Sequence, residues 1–217
     1  FATSNNTLYA KWTPNMYSVT YNTDGATSGS APASQTKIHG IDLTVSANTG
    51  HLARNGYTFS GWNTQADGSG TDYAIGSLLT TNTNTNLYAK WTIRTYTVNY
   101  NANGATDGAV PTAQTKTYGV DLILSENTGS LVRTGYTFGG WNPRVDGKGF
   151  DYATGTTYSV DASITLYAKW IADTYPVTYD ANGATGGTVP ADQVKIHDVG
   201  LSLATNSGGL VRTGYTF

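Results

Sequence analysis

The chain copies itself. Leu-Tyr-Ala-Lys-Trp occurs three times, ending at Trp12, Trp91 and Trp170, and Gly-Tyr-Thr-Phe occurs three times, ending at Phe59, Phe138 and Phe217; both recur every 79 residues. Tyr17, Tyr96 and Tyr175 keep the same step, as do Gly25, Gly104 and Gly183, Pro32, Pro111 and Pro190, and Lys37, Lys116 and Lys195, with no insertion or deletion between copies. A fixed period means one supersecondary unit copied in series. At 79 residues the unit exceeds the common solenoid repeats, so each copy can hold a small core of its own, although a marginal one. Residues 14–92 and 93–171 are full repeats, residues 1–13 carry the closing strand (8–12) of a truncated preceding repeat, and residues 172–217 are an incomplete repeat without its C-terminal part. An incomplete repeat predicts an exposed strand edge. Two explanations fit it: a chain cut from a longer array, which is favoured, or ends completed by neighbouring chains.

Composition narrows the class. The net charge is -2 with 12 Lys+Arg, which excludes a basic nucleic-acid binder dependent on counterion release. There is no Cys, so neither disulfides nor thiolate metal sites are available. No apolar run approaches a membrane-spanning length, so no membrane insertion is expected of this segment. No N-terminal stretch reads as a signal peptide, which places any export signal outside it. Aromatics reach 12%, with 16 Tyr, and Thr, Asn, Ser and Gly fill much of the rest, a palette of short twisted strands and tight turns rather than of disorder.

Within one repeat, Tyr17-Ser-Val-Thr-Tyr21 alternates large with small side chains, the period of a strand with one buried face. Asp24-Gly25 supplies a turn, matched by Asn103-Gly104 and Asn182-Gly183. Residues 35–38 and 43–46 read as strands, as does Tyr57-Thr-Phe-Ser leading into Gly61-Trp62. In the closing strand Leu87, Ala89 and Trp91 should face one way and Tyr88 and Lys90 the other. The best helical candidate, residues 77–81, is weak, so each unit is expected to be mostly β, α+β at most. The expected repeat core is Tyr17, Val19, Tyr21, Tyr57, Phe59, Trp62, Leu87 and Trp91, with Tyr96, Val98, Tyr100, Tyr136, Phe138, Trp141, Leu166 and Trp170 in the second copy.

Tyr-x-Val-x-Tyr with a following Asp/Asn-Gly turn, Gly56-Tyr-Thr-Phe-Ser-Gly-Trp62 and Leu87-Tyr-Ala-Lys-Trp91 together resemble the Listeria–Bacteroides repeat, the internalin B B-repeat family of bacterial surface proteins; the second copy carries the same three motifs at Tyr96, Gly135 and Leu166. The resemblance implies a β-grasp, ubiquitin-like fold. It also implies tandem copies in secreted, often wall-anchored proteins of bacteria and some archaea, and a non-enzymatic spacer or adhesive role. The unit here is longer than the family leads one to expect, with the extra residues expected near 41–52 and in the Asp67 loop.

Sites able to carry chemistry have plain alternatives. The Trp residues at repeat ends could form sugar platforms, but their recurrence suits packing better. Tyr88 and Tyr167, on the polar face, are the better surface-binding candidates. Asp67 and Asp72, like Asp146 and Asp151, bracket Gly-rich loops that offer too few oxygens for calcium, and a turn is favoured. His39 and His197 are replaced by Tyr118 in the middle copy, and such drift argues against catalysis. No catalytic residue, cofactor or metal is expected. Lys11, Lys90 and Lys169 sit in apolar strands and could form isopeptide bonds, which need a protonated acid nearby; snorkelling to solvent is the simpler reading. The expectation is an elongated array of tandem small domains, joined by linkers 92–94 and 171–173, serving as stalk, spacer or filament segment of an extracellular adhesin at a cell surface or in secretion. Its partners are neighbouring repeats. Multivalent binding of glycans or host surface proteins, and head-to-tail joining with other copies of itself, are the alternatives.

Overall fold

The computed structural model describes residues 7–217. The chain divides into two compact units, one ending at Arg94 and the other beginning at Thr95. The first holds β1 (Met16–Asn22), β2 (Gln35–Ile38), β3 (Leu43–Thr44), β4 (Tyr57–Asn63), β5 (Asp72–Tyr73), β6 (Leu78–Leu79) and β7 (Thr85–Ile93). Five of these form one sheet in the order β2-β1-β7-β4-β5, and β3 with β6 forms a separate small ladder. The central pair β1–β7 is parallel, with Val19 beside Thr85 and Tyr21 beside Leu87, while β2, β4 and β5 join antiparallel. A parallel pair needs a long crossover, and here every other strand of the repeat lies within it.

The second unit repeats the plan with β8 (Thr95–Asn101), β9 (Gln114–Thr117), β10 (Leu122–Ile123), β11 (Tyr136–Asn142), β12 (Thr157–Tyr158) and β13 (Ile164–Ala172), and adds β14 (Thr174–Val177) and β15 (Gln193–Ile196) from the third repeat. Its sheet runs β11-β13-β8-β9, again with a parallel centre, and a single bridge from Trp141 to Tyr152 stands where β5 does in the first unit. Both Gly-Tyr-Thr-Phe strands carry a bulge just before the Trp. Gly61 there has φ 131°, and a Cβ on it would meet the Tyr73 carbonyl oxygen at 2.5 Å, so the bulge requires glycine.

Each unit buries one face of its sheet. Val19, Val45, Leu52, Trp62, Leu79, Leu87 and Ala89 make the first core, and Val98, Tyr100, Leu124, Leu131, Trp141, Tyr158, Leu166 and Ala168 the second. Tyr21, Phe59, Trp91, Phe138 and Trp170 pack against these as half-buried residues.

Four sequence expectations are corrected. Among the described residues there is no helix: within 77–81, Leu78–Leu79 is a strand instead, because Leu79 pairs with Leu43 and buries in the core. The strand expected over 43–46 stops at Thr44. Tyr17, Tyr57, Tyr96 and Tyr136 lie half-buried outside both cores, since their strands outrun the buried layer; Arg54 and Arg133 roof Tyr57 and Tyr136 at 4.2 and 4.1 Å. Residues 8–12 form no strand, having no partner strand beside them, and residues 1–6 of that segment lie outside the described residues. The linkers are also shorter than expected: Arg94 alone separates β7 from β8, and Asp173 alone separates β13 from β14.

Candidate functional site

The sheet face turned from the core is polar. Tyr88 lies there half-buried, in register with Asn22 and Asn63, and Tyr167 with Asn101 and Asn142. Next to them Lys90 pairs with Asp72 and Lys169 with Asp151, and these lysine bonds, with a lesser one from Asn63 or Asn142, hold both carboxyls below their usual range. The Gly-rich loops are clamped from inside. Buried Asn63 donates to the carbonyls of Gly68 and Gly70, both at 3.1 Å, and to Asp72 Oδ1 at 2.6 Å, while its own oxygen accepts from the Gln65 and Gly70 amides. Asn142 does the same in the second copy. Asp67 accepts from Ser69, and Asp146 from Arg144 and the Lys148 amide, each carboxyl being lowered by those bonds. The loop carboxylates are thus committed to amides and cations of the protein itself.

The tryptophans are built into the fold. Trp62 and Trp141 donate to the carbonyls of Ser46 and Ser125, both at 2.9 Å. Trp91 and Trp170 close the first turn of each repeat by donating to Asp24 O at 2.9 Å and Asn103 O at 3.0 Å, and Phe59 and Phe138 meet them edge-on at 5.5 and 5.7 Å.

The buried lysines are not those singled out in the sequence. Lys37 and Lys116 are 0% exposed. Lys37 Nζ donates to Asn82 Oδ1 and to Ile38 O, each at 3.0 Å; Lys116 Nζ donates to Asp161 Oδ1 at 2.6 Å and Thr117 O at 2.9 Å. The amides of Gly40 and Gly119 complete each cluster on the same Asn82 and Asp161 oxygens. Lys90 and Lys169, by contrast, are partly exposed ion-pair partners. The available signal for Lys37 and Lys116 was their exact recurrence at the repeat step.

The histidines occupy turn and junction positions. His39 Nδ1 meets the Tyr17 hydroxyl at 3.1 Å, and His51 sits at φ 52°. His197 lies where repeats two and three meet inside the second unit. The Asp173 amide donates to Gly135 O, the His197 amide to Asp173 O, Thr137 Oγ1 to Asp173 Oδ1 at 2.7 Å, and the Tyr136 hydroxyl to Asp198 Oδ2 at 3.0 Å. That bond to Asp198 raises the Tyr136 phenol above its usual range. The His197 ring stands edge-on to Tyr136 at 5.3 Å, against Gly135, where a Cβ would fall 2.1 Å from it.

In the third repeat a cavity of about 390 Å³ opens between Ala181, Asn182, Leu210, Arg212, Tyr215 and Phe217. In the second repeat the equivalent carbonyls, Ala102 O and Asn103 O, receive the Trp170 indole N–H. The cavity is therefore the socket of a repeat-closing tryptophan.

Comparison with known proteins agrees with this architecture. The family described as the Listeria-Bacteroides repeat domain matches residues 17–90 and again 96–169. A Gly-rich protein of Evansella cellulosilytica that carries a provisional membrane-protein name is 34% identical over 175 residues, 78% of this chain and 20% of the relative. Internalin H of Listeria monocytogenes is 32% identical over 125 residues, 57% of this chain and 21% of the relative. The chain thus spans about a fifth of the length of these relatives, and among its described residues no helix is long and apolar enough to cross a membrane. It is a repeat domain of a surface-type protein, and it belongs to the Listeria-Bacteroides repeat domain family.

Proposed function

We propose that these repeats are non-enzymatic spacer modules of an extracellular prokaryotic surface protein, holding other parts of an adhesin away from the cell. The observation that carries this reading is the junction inside the second unit: one residue, Asp173, separates β13 from β14, and backbone and side-chain bonds from Gly135, Tyr136 and Thr137 grip both sides of it. A connection of one residue, bonded on both flanks, has little freedom to bend. The sheet order, with a parallel central pair, supports reading each repeat as a β-grasp sheet that carries no helix. Small-angle scattering of the chain tests the spacer role: an extended particle is expected, and units folded back on one another would overturn it.

The alternative, multivalent recognition of glycans or host proteins, finds one supporting feature in a groove between Asp24, Arg54, Asp67, Lys90 and Trp91 of the first repeat. In the second repeat Asn103 stands in place of Asp24, and its Nδ2 spans to Val145 O at 3.1 Å. A site meant for avidity should recur, and this one changes between copies, which favours the spacer. Glycan-array screening of a three-repeat chain separates the readings, since binding that sharpens with copy number would favour recognition.

A further inference from the structure

The third repeat presents half of a sheet. β14 pairs with β15 in the register of β1 with β2, Tyr175 beside Lys195 as Tyr17 is beside Lys37. In the full repeats the other edge of the first strand is taken, in parallel, by β7 or β13. Among the described residues nothing takes that edge of β14. The consequences are local and consistent. Val19 and Val98 are fully buried, but their counterpart Val177 is only half-buried. Lys195 loses the enclosure of Lys37 and Lys116 and turns to the carbonyls of Ile196 and Val199. Phe217, whose counterparts meet a tryptophan edge-on, is 85% exposed beside the empty socket.

The half-sheet is nevertheless formed. Tyr179 donates to Gln193, Gln193 Nε2 donates to Ser202 O at 3.1 Å, and Asn206 bridges the backbone of Leu210, reproducing the bonds of Gln35 with Thr44 and of Asn48 with Leu52. A preformed acceptor spends little ordering entropy on binding.

What is missing is a Leu-Tyr-Ala-Lys-Trp strand, and the chain carries an unused one. Leu8-Tyr-Ala-Lys-Trp12 is identical to Leu87-Tyr-Ala-Lys-Trp91, lies in no strand, and exposes Leu8 at 93% and Trp12 at 87%. We infer that this segment of one copy docks in parallel on β14 of a second copy. The register of the full repeats sets Leu8 beside Tyr179 and Tyr9 beside Asp180. Trp12 enters the cavity of about 390 Å³, its indole N–H on the Ala181 and Asn182 carbonyls and its ring edge-on to Phe217. Strand addition of this kind draws affinity from backbone bonds and specificity from side-chain sockets. Donor and acceptor are different surfaces, so the contact does not close on itself and propagates as an open chain. The inference stands on this edge and socket and does not depend on the spacer reading. Any strand of this sequence competes for the site, including one continuing past Phe217 in a longer polypeptide, so the test uses the 217-residue chain.

Sedimentation velocity over a wide concentration range is expected to show association that grows with concentration. The chain lacking residues 1–13 keeps the acceptor and loses only an exposed segment; it should sediment as a monomer and bind a labelled peptide of residues 5–13 one to one, by fluorescence anisotropy. Trp12→Ala in the peptide should raise the dissociation constant at least about tenfold, the scale of a buried aromatic anchor. A full-length chain that stays monomeric at every concentration, association that persists without residues 1–13, or a peptide that fails to bind would each overturn the inference.

Discussion

Replacing Trp141 by Ala asks whether the two full repeats are the same object energetically. Trp141 is fully buried, its indole donates to Ser125 O at 2.9 Å, and its ring lies 4.6 Å from Tyr100 and 5.2 Å from Phe138. Removing a buried Trp costs about 3–5 kcal/mol through lost transfer energy and residual cavity. Leaving the Ser125 carbonyl without its donor adds about 1 kcal/mol. A domain of this size holds about 4–12 kcal/mol in total, at roughly 0.05–0.15 kcal/mol per residue. The variant should therefore lose about half or more of the stability of its repeat, and at about 4–8 °C per kcal/mol its transition should fall by about 16 °C or more. Trp62 has matching surroundings, with Ser46 O at 2.9 Å, Tyr21 at 4.7 Å and Phe59 at 5.1 Å. Trp62→Ala should cost as much, but in the first unit. Calorimetry and urea titration of both variants beside the parent provide the measurement: each substitution should move one transition and leave the other in place. Costs that differ by more than about 2 kcal/mol, the spread seen for one substitution type across different sites, would refute the premise that one packing solution has been copied.

Further expectations concern the buried lysines and the tight backbone contacts. Asn82→Asp should raise the melting temperature of the first unit at neutral pH, because it gives Lys37 the carboxylate that Lys116 already has, and Asp161→Asn should lower that of the second. Asp161 is held below its usual value of 3.8, first by the Lys116 bond and then by the Gly119 amide. A depressed folded value means that its stabilisation is present above about pH 4 and lost as pH falls through the lowered value. Asp161→Asn should flatten that part of the acid-unfolding profile, and Asn82→Asp should introduce it into the first unit. Gly129→Ala would set a Cβ 1.9 Å from Ala109 O, and urea titration should show a loss of about 3 kcal/mol, the upper end of overpacking. Lys90→Met should leave stability within measurement error, since Lys90 and Asp72 are both well exposed. The intact mass should equal that of the sequence, because Lys90 and Lys169 are engaged in ion pairs rather than amides.

The strands that alternate were legible. Tyr17-Ser-Val-Thr-Tyr21 and the closing strand at Leu87 have period two, and Leu87 and Ala89 do turn into the core. Leu78-Leu79 was not legible, because a two-residue apolar run looks the same in a helix turn or a strand until its partner, Leu43, is known. The half-buried Tyr17 and Tyr57 show that alternation reports which face a residue takes, but not where along the strand the core ends. Lys37 is a charged residue in a polar-looking strand, and its main partner lies 45 residues away, so only recurrence could mark it. The third-repeat socket was foreseen as an exposed edge. Its shape, set by carbonyls and a lone Phe, needed coordinates.

What recurs and what drifts between copies separates scaffold from interaction surface. Asn63 and Asn142, Asn48 and Asn127, Gln35 and Gln114, and Lys37 and Lys116 recur, and each turns its polar atoms inward to backbone groups. Buried polar groups cost stability unless satisfied, so such networks resist change in any copy. The residues that drift sit elsewhere. Asp24 becomes Asn103 at a groove, and Tyr118 becomes His197 and Gly119 becomes Asp198 at the tight turn after the second strand of the repeat, which in the third repeat grips Tyr136. An array assembled this way keeps a fixed internal framework while its grooves and junctions are individually adjustable. Differences in binding or in bending between copies should therefore trace to these few positions, and exchanging His197 and Asp198 for the Tyr-Gly pair of the middle copy should loosen the second junction while leaving the core of the second repeat as stable as before.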